Sequence, residues 1–264
     1  MIILHKFKSA IKSNSLLTVI AHNLIERFHF LYSEKEYSIV KLIDEPVIVD
    51  VGAHNGESIY NFLKYNSSCK IISIEPNIKN FNIIRDKYKK DKRISCLNKI
   101  VSQKKGKETF YTPILLGKEL SQMSSTSLDL LKKRISFFFN IKLTKFSFKK
   151  TQVKTIKIDN LNLKPNIIKI DTEGSEYEIL LTSKKTIKKN KPLIIVEYNH
   201  NNFNKILNLM KKFSYKPYIF DKNFVLLDPK KKSLLKKNTN ADNVVFLPEK
   251  SVRSEINGLK YYIN

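Results

Sequence analysis

The sequence predicts an α/β fold, a mostly parallel sheet with helices on its faces. Three observations predict it. Short apolar runs rich in Ile and Val alternate with stretches of helical spacing, the pattern of parallel strands joined by crossover helices. Four of those runs end in a carboxylate, at Asp50, Glu75, Asp171 and Glu197. The first run, Val47-Ile48-Val49-Asp50-Val51, leads at once into Gly52 and Gly56, which suits a tight turn opening a helix.

Residues 1–44 have helical spacing, with Leu16, Leu17, Ile20, Leu24, Phe28 and Leu31 between polar positions and lysines near the start. A basic amphipathic helix of this kind suits an anionic membrane; packing on the sheet edge or on a second copy, giving a homo-oligomer, is the alternative. Glu45-Pro46 breaks the pattern, so residues 1–44 are expected to be a helical extension and residues 45–264 the main domain. Within that domain a helix is expected over residues 57–65, with Ile59, Phe62 and Leu63 inward. A strand over 70–75, a helix over 77–90 and a third strand over 94–101 follow. Residues 108–111 and 153–158 read as a hairpin enclosing an insertion at about 113–150, before the fourth core strand. A loop of that length is commonly a lid or a substrate element. Next come a strand over 166–171, a helix with Ile179 and Leu180 inward, a strand over 192–198 and a helix over 203–213. Closing strands are expected at 215–220, 224–227 and 243–247, the first two antiparallel, with a polar Lys-rich loop over 230–240.

The formal net charge of +25 suggests attraction to nucleic acid, anionic glycan or anionic lipid. Yet Lys, Asn and Ile all have A- and T-rich codons, so genome composition alone yields this profile. Arginine occurs only at Arg27, Arg85, Arg93, Arg134 and Arg253, too sparsely for a dedicated phosphate reader. Nucleic acid is therefore not the expected partner. Cys69 and Cys96 have neither metal-ligand nor disulfide spacing, so a reducing cytoplasm is expected, at the inner membrane face if the N-terminal helix docks there. No signal peptide is expected, because Lys6, Lys8 and Lys12 interrupt the start. No run reaches the roughly 18 apolar residues that span a bilayer.

In an open parallel sheet the carboxyl ends of the strands share one edge, and ligands bind there. Glu75 lies 19 residues after Gly56, a distance at which an acid accepts hydrogen bonds from a ribose diol. The glycines do not form G-x-G-x-x-G, and an acid inside the turn does not suit a pyrophosphate. A cationic, phosphate-free ligand fits better. S-adenosylmethionine meets that description, with its aminoacyl end near Asp50 and Gly52 and its ribose on Glu75.

The stretches Asp50-Val51-Gly52-Ala53-His54-Asn55-Gly56, Ile74-Glu75-Pro76, Ser124-Ser125 and Ile168-Lys169-Ile170-Asp171-Thr172-Glu173-Gly174-Ser175-Glu176 carry a family resemblance. Over roughly residues 45–200 the sequence resembles the FkbM family of S-adenosylmethionine-dependent methyltransferases. His54 and Thr172 stand where the family commonly has Asn and Val. The resemblance implies a class I methyltransferase (Rossmann-like) fold with a seven-stranded, mostly parallel sheet. It also implies O-methylation of a carbohydrate or small-molecule acceptor, here a sugar hydroxyl of a surface glycan or its precursor in polysaccharide biosynthesis. Carried over residue by residue, Asp50, Gly52, Ala53, His54, Asn55 and Gly56 hold the methionine and sugar portions of the cofactor, and Glu75 with Pro76 holds the ribose. Asn98 approaches the adenine, Ser125 contacts cofactor or substrate, and Asp171 and Glu173 sit near the transferred methyl.

Removal of the acceptor proton needs a positioned base, and the candidates are Asp171, Glu173, His200 and His54. In an alternative arrangement Asp171, Glu173 and Glu197 bind Mg²⁺ and acidify the acceptor hydroxyl. Plainer roles compete with these. His54 and His200 suit a helix cap or the surface, Glu173 suits the start of the following helix, and the aromatic run over 137–148 suits the core of the insertion.

Overall fold

The structure is a computed structural model that describes residue 19 and residues 35–139, 141–198, 202–220, 226–227 and 243–249. The first half of the main sheet holds strands β1 (Val47–Val51), β2 (Lys70–Ile74) and β3 (Ile94–Leu97), joined by helices α1 (Glu57–Tyr65) and α2 (Ile78–Tyr88). A second, smaller sheet follows: β4 (Ile100–Val101), β5 (Lys107–Leu115), β6 (Lys118–Glu119), then helix α3 (Leu128–Phe138) and β7 (Phe146–Ile156). The chain then returns to the main sheet with β8 (Ile167–Ile170), α4 (Glu176–Leu181), α5 (Lys184–Asn190), β9 (Leu193–Glu197) and α6 (Phe203–Lys212). The closing strands are β10 (Tyr215–Phe220), β11 (Leu226–Leu227) and β12 (Asn243–Pro248).

The main sheet runs β11-β10-β12-β9-β8-β1-β2-β3. From β3 to β9 every pairing is parallel, and β12 inserts antiparallel between β9 and β10. The expected core and closing strands are all present, and the strand expected over 224–227 is the two-residue β11, antiparallel to β10 at the edge, so the sheet has eight strands where the family resemblance implies seven. The central strands are apolar because helices cover both faces. One face buries Val49, Ile168, Ile194 and Phe246 against Ile179, Leu180, Ile206 and Met210. The other buries Ile48, Ile71, Ile195 and Val245 with Ile59, Phe62 and Ile84.

Three expectations change. The strand predicted over 94–101 is two strands in two sheets: β3 ends at Leu97, and β4 pairs parallel with β7. The break is at Asn98, whose side-chain amide donates to the carbonyls of Glu75 and Pro76, 2.9 Å each, and so turns the chain out of the sheet. The hairpin around the insertion is longer than expected, running in register from Lys107 opposite Lys154 to Leu115 opposite Phe146. The independent part of the insertion shrinks accordingly, and its core is Leu115, Leu120, Met123, Leu131, Ile135 and Phe146, with Phe137 and Phe138 left exposed.

Third, Lys35–Leu42 is a 3₁₀ helix whose Tyr37, Ile39 and Val40 are buried in the core beside α1, with the Tyr37 ring 4.6 Å from that of Phe62. This stretch of the predicted extension is therefore part of the domain. Val19 is helical and buried among the apolar residues of the insertion. The remainder of residues 1–34 and the loop over 230–240 lie outside the described residues.

Candidate functional site

The turn after β1 is set by one steric fact. Gly52 has φ +80, and a Cβ there would stand 1.8 Å from the Asp171 carbonyl oxygen, so any side chain collides with the end of β8. The Gly52 N–H donates to the Ile74 carbonyl at 3.0 Å, which ties the turn to β2 as well. Ala53 is buried, and His54 takes the left-handed conformation, φ 51. That conformation costs a non-glycine residue about 1–2 kcal/mol, and here it aims the His54 N–H at Glu75.

Glu75 is held from two sides. Its Oε2 accepts the His54 N–H at 2.9 Å, and its Oε1 accepts the Asn77 N–H at 2.8 Å. Burial pushes its carboxyl up to about 7, against the lowering effect of His54 and of both backbone N–H groups. Each oxygen keeps a lone pair for an outside donor. The His54 ring sits 3.0 Å from Ser121 Oγ, so this turn is also tied to the insertion.

Asp50 is fully buried and lines neither of the two cavities described below. Ser58 Oγ donates to its Oδ2 at 2.6 Å, and Lys169 Nζ lies 3.5 Å from its Oδ1. Lys169 is itself buried, donates to the Gly52 carbonyl at 3.3 Å, and stands 3.3 Å from Asp171 Oδ2. The cation that Asp50 demands is thus part of the chain. Burial still holds the Asp50 carboxyl above its ordinary value, with Lys169 and Ser58 pulling it back. Lys169 is absent from the expected site, although the sequence carries a signal for it. It is the one charge inside the run Ile167–Ile170, and it falls opposite the one charge inside β1, since Asp50 and Lys169 are partners in register.

The loop after β8 carries the other acids. Glu176 is buried and accepts from the N–H of Thr172 and of Gly174, from Thr172 Oγ1, and from the Asn202 amide. It fixes the loop from beneath. Glu173, at φ 61, forms an ion pair with Arg134 of α3, and Arg134 also donates to the Glu173 carbonyl. Glu197 accepts the Glu173 N–H at 3.2 Å. Burial raises the carboxyls of both Glu173 and Glu197, reinforced by Asp171 and Glu176 and opposed for Glu173 by Arg134. Arg134, Glu176 and Ser58 were not legible as site residues, because their partners lie on other elements.

The alternative Mg²⁺ triad is not what these residues form. Asp171 faces Lys169, Glu173 faces Arg134, and Glu197 takes a backbone N–H. Among the described residues no three His, Cys, Asp or Glu side chains are grouped to hold a metal ion. His200 lies outside the described residues.

Two cavities open on this edge. The first, about 280 Å³, is lined by His54, Glu75, Lys169, Asp171, Glu173 and Glu197 among others. The second, about 270 Å³, is lined by residues 99–104, Ser125, Thr126 and Ser175. Gly52, Pro76, Phe110 and Thr172 line both. Ser125 is pinned by paired backbone hydrogen bonds to Tyr111, and Ser124 Oγ donates to Thr112 Oγ1 at 3.0 Å. Asn55 and Gly56 belong to the turn and line neither of these two cavities, and Asn98 spends its amide hydrogens on the turn after β2.

A comparison with curated proteins found no match. Among solved structures, the chain is similar to the methyltransferase FkbM of Methylobacillus flagellatus at 15% identity and TM-score 0.48, covering 92% of this chain and 57% of that one. It is also similar to precorrin-6y C5,15-methyltransferase of Geobacter metallireducens, at 12% identity and TM-score 0.43, over 80% of this chain and 83% of that one. A third is the O-methyltransferase of Bacillus cereus in complex with SAH, at 11% identity and TM-score 0.40, over 81% and 80%. The chain thus spans little more than half the length of the first of these. The decisive match is to the family model described as the methyltransferase FkbM domain, which covers residues 50–217, from the Asp50 turn through α6 and into β10. By that match over most of its length, the chain belongs to the FkbM methyltransferase domain family.

Proposed function

We propose that the protein transfers a methyl group from S-adenosylmethionine to a sugar hydroxyl of a surface glycan or its precursor. One observation carries the reading: Glu75, fixed by two backbone N–H groups, lines the same cavity as Asp171 and Glu173. The residues present fit this cofactor. The Gly52 turn admits no side chain, and the remaining lone pairs of Glu75 match a ribose diol. The second cavity, reached past Pro76 and Thr172, offers Ile100 and Val101 as apolar contacts for a base. When bound, the cofactor supplies a methyl on a sulfonium, open to in-line attack by an oxygen.

The chain's own part is binding, orientation and proton removal. Gly52 and Glu75 fix one end of the site, so that an acceptor in the first cavity meets the acidic wall. Glu173 takes the acceptor proton on its carboxylate, and its raised affinity for a proton suits that role near neutrality. Asp171, held toward Lys169, aligns the hydroxyl. The wall of Glu75, Asp171, Glu173 and Glu197 is acidic in a protein of net charge +25, which favours a neutral polyol over a phosphate-rich nucleic acid.

The test has two parts. Calorimetry must show cofactor binding that Glu75→Ala weakens. Glycans from a deletion strain must lose an O-methyl sugar that the wild-type gene restores and Asp171→Ala does not. Cofactor binding without any change in glycans would remove the acceptor reading and leave the cofactor reading intact.

A further inference from the structure

The insertion has a second face that the site does not use. In α3, Leu131 and Ile135 point into the insertion core, and Arg134 reaches Glu173. Leu130, Lys133 and Phe137 form a stripe turned away from Leu131 and Ile135, beside Arg134, and face solvent. Phe137 is 80% exposed and Phe138 47%, their rings packed edge to face at 5.2 Å. The turn between β5 and β6 adds Leu116, 56% exposed. It lies at the same end of the insertion, because Phe139 packs on Phe146, and Phe146 is the register partner of Leu115. Of the eight most exposed large apolar side chains among the described residues, four are thus in this insertion: Leu116, Leu130, Phe137 and Phe138.

What surrounds them is basic. Lys118, Lys132, Lys133, Lys142 and Lys145 are all exposed on these elements. The acids nearby are Glu119, already paired with Lys149, and Asp129, in the first turn of α3 and away from the aromatic end. An apolar tip ringed by lysines matches an anionic bilayer surface, where aromatic rings enter the interface and ammonium groups remain among the headgroups.

We infer that the tip of the insertion, with Phe137 and Phe138 at its centre, docks on an anionic lipid bilayer. The outward stripe flanks Arg134 on one helix, so docking holds the acidic wall close to the membrane surface. An acceptor carried on a lipid would be presented there. The inference does not depend on the acceptor reading, and it uses none of the residues assigned to the cofactor.

The experiment is co-sedimentation of the full chain at physiological ionic strength with vesicles of phosphatidylcholine alone or mixed with phosphatidylglycerol. The wild type is expected to bind the mixed vesicles and not the neutral ones. Phe137→Ser/Phe138→Ser is expected to weaken that binding at least tenfold while leaving cofactor affinity unchanged, and this variant keeps every lysine. Equal binding by wild type and variant would show that bulk charge acts alone and would overturn the proposal. Absence of binding by the wild type would overturn it as well. So would a wild-type dimer in light scattering that becomes monomeric in the variant, since the face would then belong to a second copy. Lys132→Gln/Lys133→Gln provides a second check, with weaker binding and a reduced salt dependence expected.

Discussion

At one end of the carboxyl edge, main-chain N–H groups of His54 and Asn77 hold Glu75, and the nearest fixed point is the Gly52 turn. At the other end, Glu173 is held by the side chain of Arg134, which arrives from the insertion. The first end is built from backbone contacts within one strand–turn–helix unit and its neighbouring strand. The second depends on ion pairs between elements far apart in the chain. A ligand common to a whole family suits the first kind of construction, because backbone geometry survives side-chain change. An acceptor that differs between members suits the second, where one substitution in an insertion alters the wall.

The largest effect is expected at Gly52. Gly52→Ala places a methyl against a backbone carbonyl that cannot move without shifting β8, at a φ that alanine resists. Loss of cofactor binding in calorimetry and a lower melting temperature are expected together; a variant that binds normally would show that the turn is not the fixed end. Next is Lys169→Met. It leaves Asp50 buried without its cation, and such uncompensated charges cost ~3–5 kcal/mol. Urea unfolding should show this, and Asp50→Asn in the same chain should recover most of it. No recovery would mean that Lys169 acts on Asp171 alone.

Glu173→Ala removes the proton acceptor and is expected to lower kcat by ~10²–10⁴-fold while changing cofactor affinity little, whereas Glu75→Ala should do the reverse. Loss of the ribose acceptor at Glu75 weakens cofactor binding by ~10–100-fold, as for hydrogen bonds to a charged group. Cofactor affinity also carries a pH signature. With the Glu75 carboxyl near 7, the protein must lose a proton there to present both oxygens as acceptors, so affinity falls as pH drops below about 7 and levels off above it. A flat profile would separate Glu75 from the ribose.

The smallest effect is expected from Arg134→Met, which removes the charge that lowers the Glu173 carboxyl. The acidic limb of the kcat profile should move to higher pH while cofactor binding is unchanged. If both shift, the two ends are coupled and the contrast between them fails.

The strands, the glycine turn and the acids at strand ends were legible because each rests on a local cause. β-branched runs form buried strands, and only glycine tolerates what Gly52 must do. The direction of each acid was not legible. Asp50 invites a cationic ligand when read along the chain, yet the register of β1 on β8 places Lys169 against it. Asp171, Glu173 and Glu197 suggest a metal triad, yet Lys169 and Arg134 answer two of them. The break at Asn98 has the same origin, since its amide is drawn to carbonyls that another strand presents. The sequence alone determined which elements form and on which edge their polar ends gather, because propensity and periodicity act over a few residues. Only the tertiary structure decided which charges are spent on one another and which face the cavity. Coulomb and hydrogen-bond partners are chosen by proximity in space, and Asp50 and Lys169 meet across 119 residues of chain.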